Sequence, residues 1–334
     1  MEHIAIPMPA IAAALQSVPA SGLLDFGDRW PAMVVKELRQ GLRARGFVIP
    51  FLVLHALVLG AVAVEYLLTR TGAAASGWQW MAAGQPGLFW VAVYGVVAGV
   101  MPLRLMESLR GESDGRNAEL LLLGGLTRWQ IVRGKWLVQA VLSLLSLVSL
   151  LPYMLVRYFF GGVELVPNLF SFFSVTAAAL GMSGCVVGAS GYVSLGMRFF
   201  VIAVVGLLLL ITTGFTEGMI AHAKGTARLA DLGMFAYAYG YAMLFHALYA
   251  VIGLQLGRAH LKLFLTPYEI SPTKGMLAML LTAPFMLLAG AIATCIWGSI
   301  LVLLLLIYAV SAFDKTPRGT TWAARNPGTG TPRS

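Results

Sequence analysis

Charge is what this chain has least of. Asp, Glu, Lys and Arg make up 11% of its 334 residues, less than half the roughly 25% of a soluble domain. That excludes an ordinary solvated globule. Cysteine is almost as scarce: Cys185 and Cys295 are the only two, and both lie inside apolar runs. There is no CxxC and no Cys/His spacing, so neither a disulfide framework nor a zinc site is expected. The five histidines, His3, His55, His222, His246 and His260, are too scattered for a local metal motif. No metal is expected. Alternating segments of about ten residues are missing, which argues against a membrane β-barrel. The phosphate-cradling pattern GxxxxGK[ST] is missing too. Gly134-Lys135 is the one Gly-Lys pair; it is followed by Trp136 and lacks the motif's upstream glycine. No ATP site and no enzyme activity of that kind are expected. Residues 1–28 have neither a basic start nor a continuous apolar core, so no signal peptide is expected. No internal repeat is visible.

What the chain has is hydrophobic length. Apolar residues make up 59% and the mean hydropathy is +0.82. Apolar runs of 18 or more residues recur, and each is a candidate membrane helix. The spans are expected at about 47–68, 87–104, 136–160, 169–194, 199–217 and 234–257. The last run, Met276 to Phe313, would be about 57 Å long as one helix, against a hydrocarbon core of roughly 30 Å. A hairpin turning near Gly290–Gly298 fits better. The expected fold is therefore all-α and polytopic, with about eight transmembrane helices.

The net charge of +9 reads as topology, because cytoplasmic loops collect Lys and Arg. With the N-terminus inside, only Arg70, Arg157, Lys224 and Arg228 of the 23 basic residues fall outside. Both termini are expected to be cytoplasmic, in a multi-pass protein of the bacterial cytoplasmic (inner) membrane. The natural partner of such a chain is the lipid bilayer, and no nucleic acid is expected. The organisation expected is an N-terminal cytoplasmic segment (1–28), an amphipathic interface helix (29–46) and a six-span core (47–257) with a cytoplasmic loop at 105–135. A link and C-terminal hairpin (258–313) and a disordered tail (314–334) follow.

The interface helix follows from spacing. Trp30, Met33, Val34, Leu38 and Leu42 share one face; Lys36, Arg39, Gln40 and Arg43 share the other. A basic amphipathic helix of this kind suits the inner headgroup layer.

The loop ESDGRNAELLLLGGLTRWQIVRGK, Glu112 to Lys135, has its own punctuation. Asp114 or Asn117 can cap a helix start, Glu119 suits the first turn, and Gly124-Gly125 stops it. Thr127 and Gln130 have capping-box spacing, and Leu126 and Ile131 staple spacing, so a new helix begins at Thr127. A short apolar helix at the cytoplasmic surface either tucks against its own protein or the lipid, or fills a groove on a partner.

Three stretches together resemble permease subunits of the ABC transporter superfamily, of the type-2 exporter family. They are VVKELRQGLRARGF (Val34–Phe47), ESDGRNAELLLL (Glu112–Leu123) and RWQIVRGK (Arg128–Lys135). The resemblance covers roughly Arg29 to Arg198. It implies a six-span core and a coupling helix that docks on a cytoplasmic ABC ATPase subunit. Arg116, Asn117, Glu119, Leu120, Leu121, Leu122, Leu123 and Gly124 would form that helix. The resemblance also implies a second permease copy or paralogue, with ATP and Mg on the ATPase and no cofactor in this chain. The chain departs from the family's pattern at Arg116-Asn117, where Gly-Thr is common, and in its extra C-terminal hairpin.

Several ionisable residues fall inside the spans. Glu65, Arg157 and Glu217 are near outer ends, where they either snorkel to water or form a paired cluster lining a translocation path. His246 in span six is a fourth path candidate. It and His55 read most simply as histidines satisfied by a neighbouring helix. Gly184 and Gly188 make a GxxxG pair suited to close packing within the subunit. Phe235, Tyr237, Tyr239 and Tyr241 suit an outer aromatic belt. Two other functions stand against transport. One is a membrane scaffold or assembly factor. The other is a rhomboid-like intramembrane protease, because Gly188-Ala-Ser-Gly191 resembles the GxSG motif, with Ser190 as nucleophile and His246 as base.

Overall fold

The computed structural model describes residues 32–71, 87–114, 127–159, 165–223, 229–263, 272–293 and 298–312. All regular structure among them is helical. The order begins with α1 (Ala32–Arg43) and α2 (Arg45–Arg70). Next come α3 (Gly87–Val93), a π-helical stretch (Tyr94–Val100), α4 (Met101–Leu103) and α5 (Ser108–Asp114). Then follow α6 (Arg128–Val148), α7 (Leu151–Phe159), α8 (Leu165–Ala189), α9 (Leu195–Ala223), α10 (Leu229–Leu263), α11 (Pro272–Ala293) and α12 (Ser299–Ala312). Seven stretches among the described residues are long and apolar enough to cross a membrane. These make the chain a polytopic helical membrane protein by length and composition.

The last apolar run does divide into two helices. Their arms meet where a Cβ on Gly290 would lie 2.8 Å from Val302 Cγ2. The second arm, α12, has 14 residues and reaches about 21 Å, short of a full crossing. Tyr237 and Ser299 share a 2.6 Å hydrogen bond that ties this arm to α10.

Helix α8 is the axis of the bundle. Two-thirds of its most apolar window is buried, more than in any other described span. Its N-terminal half, with Val175 and Ala179, packs into a core shared with α1, α2, α3 and α6. Its C-terminal half, Met182 to Ala189, packs into a second core with α9, α10 and the C-terminal hairpin. This second contact depends on glycine. A Cβ on Gly188 would lie 2.3 Å from the Gly253 carbonyl oxygen, and one on Gly184 would lie 2.8 Å from Ala250 Cα. Small residues let two backbones approach to dispersion distance where lipid offers no hydrophobic drive. The GxxxG pair therefore packs within the chain, against α10.

The helix of the third span begins at Arg128 with Thr127 as its cap, the start that the capping-box spacing predicted, and it runs through Lys135 into the apolar span. Thr127 Oγ1 accepts from Gln130 N at 3.3 Å, and Gln130 Oε1 accepts from Thr127 N at 2.7 Å. The fourth span stops at Ala189, before the expected end at 194. Asp114, one of the two cap candidates, is the last described residue of α5. Arg116 to Gly124, Leu126, Trp30, Cys295, the N-terminal segment and the tail fall outside the described residues.

The interface helix is a packed element as well as an amphipathic one. Val34 is buried and Leu38 half-buried against the first core, while Leu42, Lys36, Arg39 and Arg43 are exposed. Lys135 Nζ on α6 lies 3.3 Å from Glu37 Oε1 on α1. A Cβ on Gly41 would sit 3.0 Å from Arg104 Nη2 and 3.1 Å from Leu142 Cδ1. Apolar area against protein thus replaces part of the lipid contact expected of this helix.

Candidate functional site

The half of the bundle around the N-terminal part of α8 holds a buried polar ladder built on two helices. Trp90 and Tyr94 stand one turn apart on the second span. Asn168 and Ser171 stand one turn apart on α8. Residues at these spacings share a helix face, so the two pairs make two rungs.

The first rung is an ion pair. Arg157 Nε donates to Glu65 Oε2 at 2.8 Å, with both side chains 3% exposed. Arg157 Nη1 also donates to Asn168 Oδ1 at 3.1 Å, which accepts from Trp90 Nε1 at 2.9 Å. Glu65 Oε1 accepts from Phe89 N at 2.9 Å. The guanidinium lies over the Phe89 ring, with Cζ 4.4 Å from the centroid, a cation–π contact. Arg157 Nη2 is buried with no hydrogen-bond partner among the described residues. These two charges do not snorkel to water; they neutralise each other inside the protein.

The second rung holds Glu217. Its Oε1 accepts from Tyr94 Oη at 2.8 Å and its Oε2 from Ser171 Oγ at 2.8 Å. Glu217 is buried and lines a cavity of about 490 Å³ between the second span, α8 and α9. Four of the lining residues, Tyr94, Gly95, Ala98 and Gly99, belong to the π-helical stretch. Such stretches are rare and often mark functional sites.

Of the four path residues expected from sequence, then, Glu217 alone lines this cavity. Glu65 and Arg157 close on each other beside it. His246 sits one layer behind, its Nε2 3.4 Å from Thr213 Oγ1 and its Nδ1 2.6 Å from the Ala242 carbonyl; Thr213 does line the cavity. His55 is likewise satisfied, by the Phe51 carbonyl at 2.9 Å. The aromatic set on α10 is half-buried. Tyr239 Oη donates to the Phe170 carbonyl at 3.1 Å, and Phe235 packs edge-on against Phe170. These rings join helices, where the sequence suggested a belt facing lipid headgroups. Trp90, Tyr94, Asn168 and Ser171 were missed by the sequence reading. Asn168, an amide in an apolar run, was the signal available.

The protease pairing is not formed. Ser190 Oγ donates to the Val187 carbonyl at 2.7 Å and accepts from Leu109 N at 3.2 Å. His246 packs at Gly181, whose Cβ would lie 2.9 Å from the His246 carbonyl oxygen. The rise of α8 from Gly181 to Ser190 is about 13 Å, far beyond hydrogen-bond reach. The serine instead holds the end of the second span to the turn after α8. Arg198 strengthens that clamp: its Nε donates to the Tyr192 carbonyl at 2.7 Å and its Nη1 to the Met106 carbonyl at 3.3 Å. Arg110 Nη1 donates to the Val193 carbonyl. Burial pushes the Tyr192 phenol in that turn up to about 12.

Among the described residues, no three His, Cys, Asp or Glu side chains converge to hold a metal ion. No family model matches the chain, and no curated protein or solved structure matches it either.

Proposed function

We propose that the chain is the membrane-spanning permease subunit of an ATP-driven ABC exporter in the bacterial cytoplasmic membrane. It works with a separate ATPase subunit and a second permease copy or paralogue. ATP and Mg bind on the partner, and no residue here performs covalent chemistry.

Besides the resemblance of the three stretches, one mechanical observation supports this reading: the residues flanking the 115–126 segment on both sides are anchored to the helix bundle. On one side, the clamp of Ser190, Arg198 and Arg110 fixes Met106 to Arg110. On the other, the Thr127–Gln130 box opens a helix of 21 residues, about 31 Å of rigid rod. That rod is tied to α1 by Lys135–Glu37 and to α8 by Trp136 Nε1, which donates to the Leu180 carbonyl at 3.1 Å. A push on a helix at 116–124 therefore reaches the interface helix and the central helix together. An ATPase pair closing on nucleotide supplies such a push.

The test is whether a soluble ABC-type ATPase from the same cells co-purifies with the chain. The parent should retain it. Leu121→Asp with Leu122→Asp should lose it by at least about tenfold, with the membrane yield of the chain unchanged. An ATPase that never associates with the parent, or that stays on the double variant, contradicts the proposal.

A further inference from the structure

The cavity between the second span, α8 and α9 is made by glycine, and not for packing. Gly95, Gly99, Gly206, Gly214 and Gly218 all line it. A Cβ added at Gly95, Gly214 or Gly218 would meet nothing within 4 Å; at Gly99 and Gly206 it would find ordinary contact distances of 3.9 and 3.5 Å. Glycine weakens a helix relative to alanine. At Gly184, Gly188 and Gly253 close backbone approach accounts for its use. Here nothing approaches, and what the glycines leave is space.

The hollow has a closed floor and an open rim. Ala178, Met182 and Leu209 on its floor are buried, whereas Val91 and Leu210 on its rim are 50% and 67% exposed. In a bundle that crosses a bilayer, exposed apolar side chains of a span face hydrocarbon, so the rim opens sideways onto lipid. Three lining residues carry polar side chains, and protein already engages each of them. Both Glu217 oxygens accept hydroxyl hydrogen bonds at 2.8 Å, one from Tyr94 and one from Ser171. Thr213 Oγ1 lies 3.4 Å from His246 Nε2. A polar solute entering here would lose its water and find these groups committed. Water itself is held poorly by a mostly apolar wall. A hydrocarbon chain gives up nothing on entry, because lipid tails are as apolar as leucine. It gains dispersion contact with walls that otherwise face a void.

We propose that this cavity is a binding site for one acyl chain of a bilayer phospholipid, entered sideways past Val91 and Leu210. The volume of about 490 Å³ lies in the range of roughly 300–1,000 Å³ typical of small-molecule sites. The headgroup stays at the membrane surface while the chain lies against Gly95 and Gly214. Helix α9 packs mainly on α8 and α10, and the bound chain fills the seam between α9 and the second span. The site rests on the chain crossing a bilayer and requires no ATPase.

The experiment uses the full chain in nanodiscs containing phosphatidylethanolamine with a diazirine along one acyl chain. Light converts the diazirine to a carbene, which inserts where the chain lies. Mass spectrometry of the digest should find the phospholipid on Thr213 or Glu217. These residues are 7% and 3% exposed, out of reach of chains that only coat the bundle. Tyr308, exposed on α12, reports contact with bulk lipid and should be labelled alike in every variant. Gly95→Leu with Gly214→Leu should cut the Thr213 and Glu217 adducts by about tenfold, since a close-packed interior leaves no room for a second occupant. Gly218→Leu alone, at a position where a Cβ meets nothing within 4 Å, should also reduce them and decides the matter if the double variant fails to fold. A second arm uses plain phospholipid with a free diazirine-bearing alkane. Cavity adducts from the alkane but none from the phospholipid would make the occupant a free apolar solute and overturn the proposal. Cavity adducts absent from the parent, or unchanged by filling, overturn it as well. No ATPase is present, so a failure of ATPase co-purification would sink the permease reading and leave these adducts standing.

Discussion

Glu65→Ala should destabilise the protein by about 3–5 kcal/mol, the loss typical when one partner of a buried ion pair is removed. The substitution leaves the Arg157 guanidinium 3% exposed, holding Asn168 and the Phe89 ring but no carboxylate. It also strips the Phe89 amide of its acceptor. A buried charge without its partner is the expensive state, while the pair itself is worth little over well-packed apolar groups. The double substitution Glu65→Leu with Arg157→Met should accordingly recover most of the loss. Thermal unfolding in one detergent, followed by loss of the monodisperse peak, reads both. A Glu65→Ala protein that melts with the parent would show that the pair is open to water.

The same substitution should have opposite signs at two glycines. Gly253→Ala puts a methyl 2.3 Å from Gly184 C and O, which only separation of α8 and α10 can relieve. Overpacking of this kind costs about 1–3 kcal/mol, and more where the obstacle is backbone and both helices are central to the bundle. Gly214→Ala meets nothing within 4 Å and gains helix propensity, so it should be neutral or stabilising by up to about 1 kcal/mol. Melting temperatures of the two variants against the parent decide it. Equal effects would contradict the close approach of α8 and α10.

These glycines mark the limit of what the sequence discloses. Gly95–Gly99, Gly184–Gly188 and Gly214–Gly218 all have the GxxxG spacing. One pair closes a helix contact and two pairs line a cavity. Spacing says that a face is small; only the neighbour's position says whether anything fills it. The helices themselves were legible because about twenty apolar residues in a row have few other fates. The start of α6 was legible to the residue, because a capping box is a local interaction between Thr127 and Gln130. The stop of α8 was not, because it depends on Arg198, Arg110 and Leu109 gathering at residues 190–193 from elsewhere in the chain.

The charges tell the same story. Glu65 and Arg157 are 92 positions apart, and their pairing requires knowing that the first and third spans meet. Similar outer-end placement on the spans made a cluster conceivable but gave no partner. The π-helical stretch has no hydropathy signature at all, since its residues are as apolar as their helical neighbours. Trp90 and Tyr94 sit at ordinary helical spacing and could have been core residues. Their polar atoms become informative once Asn168 and Glu217 stand opposite them.

Coupling to a motor requires the 116–124 segment to lie on the cytoplasmic side, within the motor's reach. Leu122→Cys tests this most directly. A membrane-impermeant maleimide is applied to intact cells and to inverted membrane vesicles, and labelling is compared with that of the parent chain, whose Cys185 is buried. Labelling confined to inverted vesicles, and blocked when the ATPase is bound, is the predicted result. Labelling of the introduced thiol from outside intact cells would contradict the topology and the proposed coupling with it.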